Sequence, residues 1–91
     1  MTEVVRDNAA HRRFELEVGG NVAFVTYRAI PGGLILLHTE TPAALRNQGV
    51  GSRLARGMLE IVRARAQKIR VACDFLQDFM RRNPEFDDLL M

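Results

Sequence analysis

A change of hydrophobic period near Pro42 constrains this chain more than any other feature of its sequence. Before it, Phe14, Leu16 and Val18 alternate with Arg13, Glu15 and Glu17, the pattern of a strand with one face buried. After it, Leu54, Met58, Ile61 and Val62 fall at i, i+4, i+7 and i+8, one face of a helix. Gly19-Gly20-Asn21 suits a hairpin turn into a return strand over Val22–Ile30, rich in β-branched and aromatic residues. Pro31-Gly32-Gly33 turns the chain again. Leu34–Leu37, apolar at every position, predicts a central strand covered on both faces, running out through His38-Thr39-Glu40-Thr41-Pro42. Val4–Asp7 reads as a short extended segment and Asn8–Arg12 as a polar break. The helix is expected from Gly49 or Val50 to about Gln67, with Gly57 inside it implying close packing. Ile69–Cys73 suggests one more strand, and Phe75, Leu76, Phe79 and Met80 a short amphipathic helix with Asp74 as its N-cap. Asn83-Pro84 ends that helix. The predicted class is α/β (α+β), a mixed, mainly antiparallel sheet with packed helices, in a single domain of 91 residues.

Composition removes several alternatives. Apolar residues at 47% and charged residues at 26% exclude a disordered tail. No apolar run approaches the ~20 residues of a membrane span, since Ala29–Leu37 is cut by Pro31-Gly32-Gly33. Met1-Thr2-Glu3 lacks the features of a secretory signal, so a cytoplasmic location is expected. With Cys73 as the one cysteine and His11 far from His38, neither a disulfide nor a metal site is expected. Thirteen basic residues, twelve of them arginine, stand against eleven acidic ones. A balance of +2 does not suggest a nucleic-acid partner. The basic run from Arg46 through Arg53, Arg56, Arg63, Arg65, Lys68 and Arg70 suits either a solvated helix face or the rim of an anion site.

Chemistry concentrates at the strand-to-helix junction, Arg46-Asn47-Gln48-Gly49-Val50-Gly51-Ser52-Arg53. Gly49 and Gly51 permit a tight turn and close ligand approach, and the first N–H groups of the helix point outward with the positive end of its dipole. That combination suits a diphosphate, with Arg46, Arg53 and Arg56 placed to add charge-assisted bonds; the plainer alternative is a glycine turn that only starts a helix. No Gly-Lys-Ser/Thr follows and no full G-x-G-x-x-G is present, so the loop is neither a P-loop nor a dinucleotide fingerprint.

Arg46-x-x-Gly49-x-Gly51 resembles the Q/R-x-x-G-x-G/A acetyl-CoA loop of the GNAT N-acetyltransferase superfamily. With His38–Pro42 before it, and Cys73-Asp74-Phe75 and Asn83-Pro84-Glu85-Phe86 after it, the chain is similar to a small single-domain GNAT-like subfamily over residues 3–90. The resemblance implies a GNAT-like sheet lacking the usual acceptor-site helices and an acetyl-CoA or coenzyme A cofactor bound by Arg46, Asn47, Gln48, Gly49, Val50, Gly51, Ser52 and Arg53. It also implies two strands that splay apart, with His38 and Glu40 on the first and Cys73 near the end of the second. Phe86 stands where family members often carry tyrosine, which removes a phenol from that position, and Ala72 stands where bulkier residues or proline are common.

Acetyl transfer needs a neutral amine, and an alkyl amine with a pKa near 10.4 is mostly protonated at neutral pH. His38 suits the base, as does Glu40 acting through water; Cys73 suits either a thiol acid or a transient acyl carrier. Each has a plainer reading: a strand-end histidine bonded to backbone, a solvated edge carboxylate, a small buried hydrophobe. Tyr27, Phe75, Phe79, Met58 and Met80 read as packing residues. Missing acceptor-wall helices leave the acceptor site open or completed by a second subunit, in a monomer or homodimer, and favour a protein or peptide amine such as lysine. The competing reading is a non-catalytic coenzyme A-binding or protein-interaction module of the same fold.

Overall fold

Gly19 and Gly20 adopt positive φ, 58° and 84°, and fold strand β2 (Arg13–Val18) onto β3 (Asn21–Ile30). Gly32, also at positive φ, turns β3 into β4 (Gly33–Glu40). A short β1 (Arg6–Asn8) pairs with β2 after a 3₁₀ turn at Ala9–His11. The chain then crosses through a 3₁₀ turn (Ala43–Leu45) and helix α1 (Val50–Ala64) to β5 (Lys68–Val71), continues into α2 (Asp74–Arg82), and closes with a 3₁₀ segment, Pro84–Leu89. The computed structural model describes residues 4–91. Strand order is β1-β2-β3-β4-β5, antiparallel until β5, which runs parallel to β4. The predicted α+β class with a mainly antiparallel sheet is the one observed.

Both helices pack on one face of the sheet. Phe14, Leu16, Ala23, Val25, Leu34, Leu36 and Ile69 face Val50, Leu54, Met58, Leu59 and Val62 of α1 and Leu76, Phe79 and Met80 of α2 in one buried cluster. Burying each of the larger side chains contributes about 1.5–3 kcal/mol. Phe24, Thr26, Ile35 and Leu37 lie outside that cluster, on the other face. The expectation that Leu34–Leu37 is covered on both sides is therefore corrected: Leu37 is 39% exposed, because the chain supplies helices to one face only.

Local boundaries also move. The first strand falls at Arg6–Asn8 rather than Val4–Asp7, paired with Arg13–Glu15. Helix α1 stops at Ala64, since Ala66 takes φ 55° and its N–H bonds back to Arg63 C=O at 3.0 Å. β5 spans Lys68–Val71 rather than Ile69–Cys73. Cys73, with extended backbone, is the N-cap of α2 and makes no side-chain cap bond, while Asp74 is the first helical residue, where its charge still complements the helix dipole. No helix among the described residues is long and apolar enough to cross a membrane.

Candidate functional site

The β3–β4 ladder slips once. Tyr27 pairs with Leu36, and Thr26 with His38, so Leu37 is an extra residue in β4. Such a bulge bends its strand and raises the local twist. It also reverses the side-chain phase. Unbroken alternation from Leu34 and Leu36 would carry His38 and Glu40 onto the helix-covered face. With Leu37 inserted, Thr39 pairs with Val25 on the core side, and His38 and Glu40 pair with Thr26 and Phe24 on the open side.

At the same place β4 and β5 part. Their parallel ladder ends at Leu36–Val71, with Ala72 N–H donating to Leu36 C=O at 2.9 Å. β4 continues to Glu40 with no strand on that edge among the described residues, leaving a V-shaped opening. On its open face His38 Nε2 lies 3.2 Å from Glu40 Oε2. On its helix face Cys73, 8% exposed, places Sγ 3.3 Å from Thr39 Oγ1. The structure thus brings His38 to Glu40 and sets Cys73 behind the strand, opposite Thr39.

The glycine loop closes the mouth of the V. Asn47 and Gly49 take positive φ, 63° and 72°, and turn the chain into α1. The first intrahelical bond runs from Arg53 N–H to Gly49 C=O at 3.1 Å, so the N–H groups of Val50, Gly51 and Ser52 precede any i−4 acceptor in the helix. Arg53 folds back and donates to Gln48 C=O at 2.7 Å, and Arg46 Nε donates to Thr41 C=O at 3.2 Å; both guanidinium groups remain beside the loop. Gln48 Nε2 braces it through Ala44 C=O at 2.9 Å. A cavity of about 290 Å³ opens here, lined by Thr41, Arg46, Asn47, Gly49 to Ser52 and Phe75, with Leu45 and Val50 as its apolar floor.

Two expectations change at this site. Arg56 points away from the loop, to Glu85 Oε2 at 3.2 Å and Asn83 Oδ1 at 2.9 Å. Arg63 likewise holds Asp88 at 2.6 Å, and Arg65 holds Asp7 at 2.7 Å. Arg56, Arg63 and Arg65 therefore tie the chain ends to α1 and its C-cap, and only Arg46 and Arg53 of the run stay beside the loop. Phe75, read as core, is 37% exposed and forms one wall of the cavity. It stands one position off the buried stripe of Leu76, Phe79 and Met80, and one residue is a 100° turn of a helix. That offset was the available signal. Thr39, Thr41 and Leu37 carried none, since their positions depend on the bulge.

The profile of the GCN5-related N-acetyl-transferase family matches residues 13–89, from β2 through the last 3₁₀ segment. The chain belongs to this family. Protein NATD1 of Bos taurus is 29% identical over 83 residues, covering 88% of this chain and 74% of that protein. The NATD1 proteins of Mus musculus and Homo sapiens are each 28% identical over the same length. In this GCN5-related chain only the 3₁₀ turn Ala9–His11 lies between β1 and β2, and no element among the described residues covers the sheet face bearing His38 and Glu40. The donors of the glycine loop fit the diphosphate of a coenzyme A: first-turn N–H groups and Arg46 on the cavity wall, with the Arg53 guanidinium beside the loop.

Proposed function

We propose that this chain is an acetyl-CoA-dependent N-acetyltransferase acting on a primary amine of a protein or peptide. The observation that carries the reading is the V between β4 and β5, which opens at Leu36–Val71 with the first-turn donors of α1 at its mouth and the His38–Glu40 pair on its open side. The amides of Val50, Gly51 and Ser52, with Arg46 and Arg53, would hold the diphosphate. Asn47, Gln48 and Gly49 shape the turn that aims them. The bound cofactor supplies the thioester carbonyl and a thiolate leaving group.

His38 prepares the amine. When its Nε2–H donates to Glu40, Nδ1 is left unprotonated and takes the amine's proton. Glu40 then stabilises the imidazolium, at 3.2 Å. Cys73 holds its thiol proton at the inner end of the V, against the Thr39 hydroxyl, where it can be released toward the departing sulfur. A positioned base or acid of this kind typically contributes 10²–10⁴-fold in rate.

Acetyl transfer to a lysine peptide tests these roles. His38→Ala and Cys73→Ala should each lower the rate by about 10²-fold or more while coenzyme A binding is retained. Unchanged transfer in both variants overturns the assignment. A coenzyme A-binding module without turnover is the second reading. The 63% and 51% exposure of the His38 and Glu40 side chains favours it, since water reaches both groups freely.

A further inference from the structure

Of the thirteen basic side chains, ten are held by a carboxylate or a backbone carbonyl. The remaining three, Arg12, Arg28 and Arg70, are exposed and have no hydrogen-bond or ion-pair partner for their guanidinium groups among the described residues. These three are not scattered. Arg28 pairs across the ladder with Ile35, and Ile35 pairs with Arg70. Arg12 stands one row nearer His38, opposite Tyr27, its C=O accepting from Tyr27 N–H at 2.9 Å. Arg28 and Arg70 therefore share one line across the sheet, at right angles to the strands, with Arg12 one row off it.

That line lies on the uncovered face. Arg28 follows Phe24 and Thr26 in the alternation of β3, and Arg70 sits between Ile69 and Val71, which pack on the core side. Arg28 and Arg70 are two strand spacings apart, roughly 10 Å between backbones. The line crosses β4 at half-buried Ile35, three positions from His38, with exposed Leu37 between. Uncompensated positive charge and apolar surface thus lie together beside the proposed base.

We propose that this arginine line is the docking track of the acceptor, and that the acceptor is an acidic peptide in which the reactive lysine is flanked by glutamate or aspartate. The proposal rests on the acetyltransferase reading for the fate of the lysine, while the charge complementarity stands without it. Acidic side chains two apart in an extended peptide point the same way and lie roughly 7 Å apart, within reach of two long arginine side chains whose backbones are roughly 10 Å apart. A nucleic-acid strand fits less well. Glu17 and Glu40 lie on the same face as β2 and β4 pass through it, and the aromatic ring there, Phe24, is already capped by Arg13 at 4.4 Å; single-strand binders stack bases on open rings.

Three fluorescent probes test this on the full chain with coenzyme A present: a peptide with one lysine between glutamates, the same peptide with glutamines, and a thymidine oligonucleotide. Anisotropy should show the glutamate peptide binding at least tenfold tighter than the glutamine one, with affinity falling as salt rises. Arg28→Gln with Arg70→Gln should abolish that difference without altering the thermal shift given by coenzyme A. Arg28→Lys with Arg70→Lys should keep most of it. Equal binding of the two peptides, a double glutamine variant that binds normally, or an oligonucleotide that displaces the acidic peptide would each overturn the proposal. If coenzyme A gives no thermal shift but arginine-dependent binding of the acidic peptide persists, the acetyltransferase reading fails and the docking surface stands. If coenzyme A binds and the peptides do not differ, the docking track fails and the cofactor site stands.

Discussion

A Cβ placed on Gly51 would stand 2.9 Å from Phe75 Cζ, so this glycine in the first turn of α1 makes room for a ring of the protein. Alanine in a helix is favoured over glycine by about 1 kcal/mol, and the colliding atom is the far end of an exposed side chain. Gly51→Ala should therefore leave the melting temperature equal or higher while displacing Phe75 and weakening coenzyme A binding; titration calorimetry showing unchanged affinity would contradict a wall role for Phe75. Tyr27 carries a different residue-scale consequence. Its hydroxyl donates to Asp7, which Arg65 also holds. Burial, together with the bond to Asp7 and its charge, pushes the phenol up to about 12. A group raised in the folded state gives stability that is fully present below its ordinary value of 10 and is lost as pH rises through about 12. Tyr27→Phe should remove that alkaline decline in a denaturant series between those values. Glu15 has the opposite sign. Burial alone would raise its carboxyl, but hydrogen bonds from Arg13 and Asn8, and the charges of Arg13 and Arg6, outweigh it and hold it low. Its contribution is present above the ordinary carboxylate value near 4.5 and is lost on acidification through the lowered one, so Glu15→Gln should flatten the acid limb of stability.

Among elements, α1 shows what a periodicity can and cannot reveal. Its apolar stripe was legible because burial follows the 3.6-residue repeat, and Gly57 was legible as a close contact. The contact proves to be Val5: a Cβ at Gly57 would overlap Cγ2 of that side chain and reach Val5 Cβ at 3.0 Å. Gly57→Ala should lower stability by about 1–2 kcal/mol, since overpacking outweighs the gain in helix propensity. Combining it with Val5→Ala should restore much of the loss in a denaturant midpoint. The partners of the arginines were not legible, because Arg56 and Glu85 are far apart in sequence and meet only after the last 3₁₀ segment folds back. Arg56 and Arg63 also lie 5.4 and 5.3 Å from the Phe86 ring. Replacing both with alanine should loosen Pro84–Leu89, read as faster amide exchange there than in β2 and β3. The bulge at Leu37 was hidden for another reason. An apolar residue suits either side of a register slip, so an apolar run gave no sign that the next residues would change faces.

For the whole molecule, the decisive property is a sheet that the described helices cover on one side only. The core needs α1, α2 and the last segment on the inner face, and the chain between β1 and β4 is spent on hairpins. The outer face is left to Phe24, Ile35, Leu37 and charged side chains, with His38 and Glu40 at its edge. The glycine turn into α1 was legible as a spacing of glycine and arginine at a strand-to-helix junction; the separation of Cys73 from His38 by the thickness of β4 was not. Everything functional in this account depends on coenzyme A entering the V between β4 and β5, so the most direct measurement is thermal unfolding with acetyl-CoA, coenzyme A and ATP, each in large excess. A ligand at about 100 times its dissociation constant adds about 2.7 kcal/mol to the folded state, and a domain of this size shifts roughly 4–8 °C per kcal/mol. A rise of roughly 10 °C or more is expected with acetyl-CoA and coenzyme A, and little with ATP. Equal small rises with all three would contradict it, reducing the glycine loop to a general anion patch.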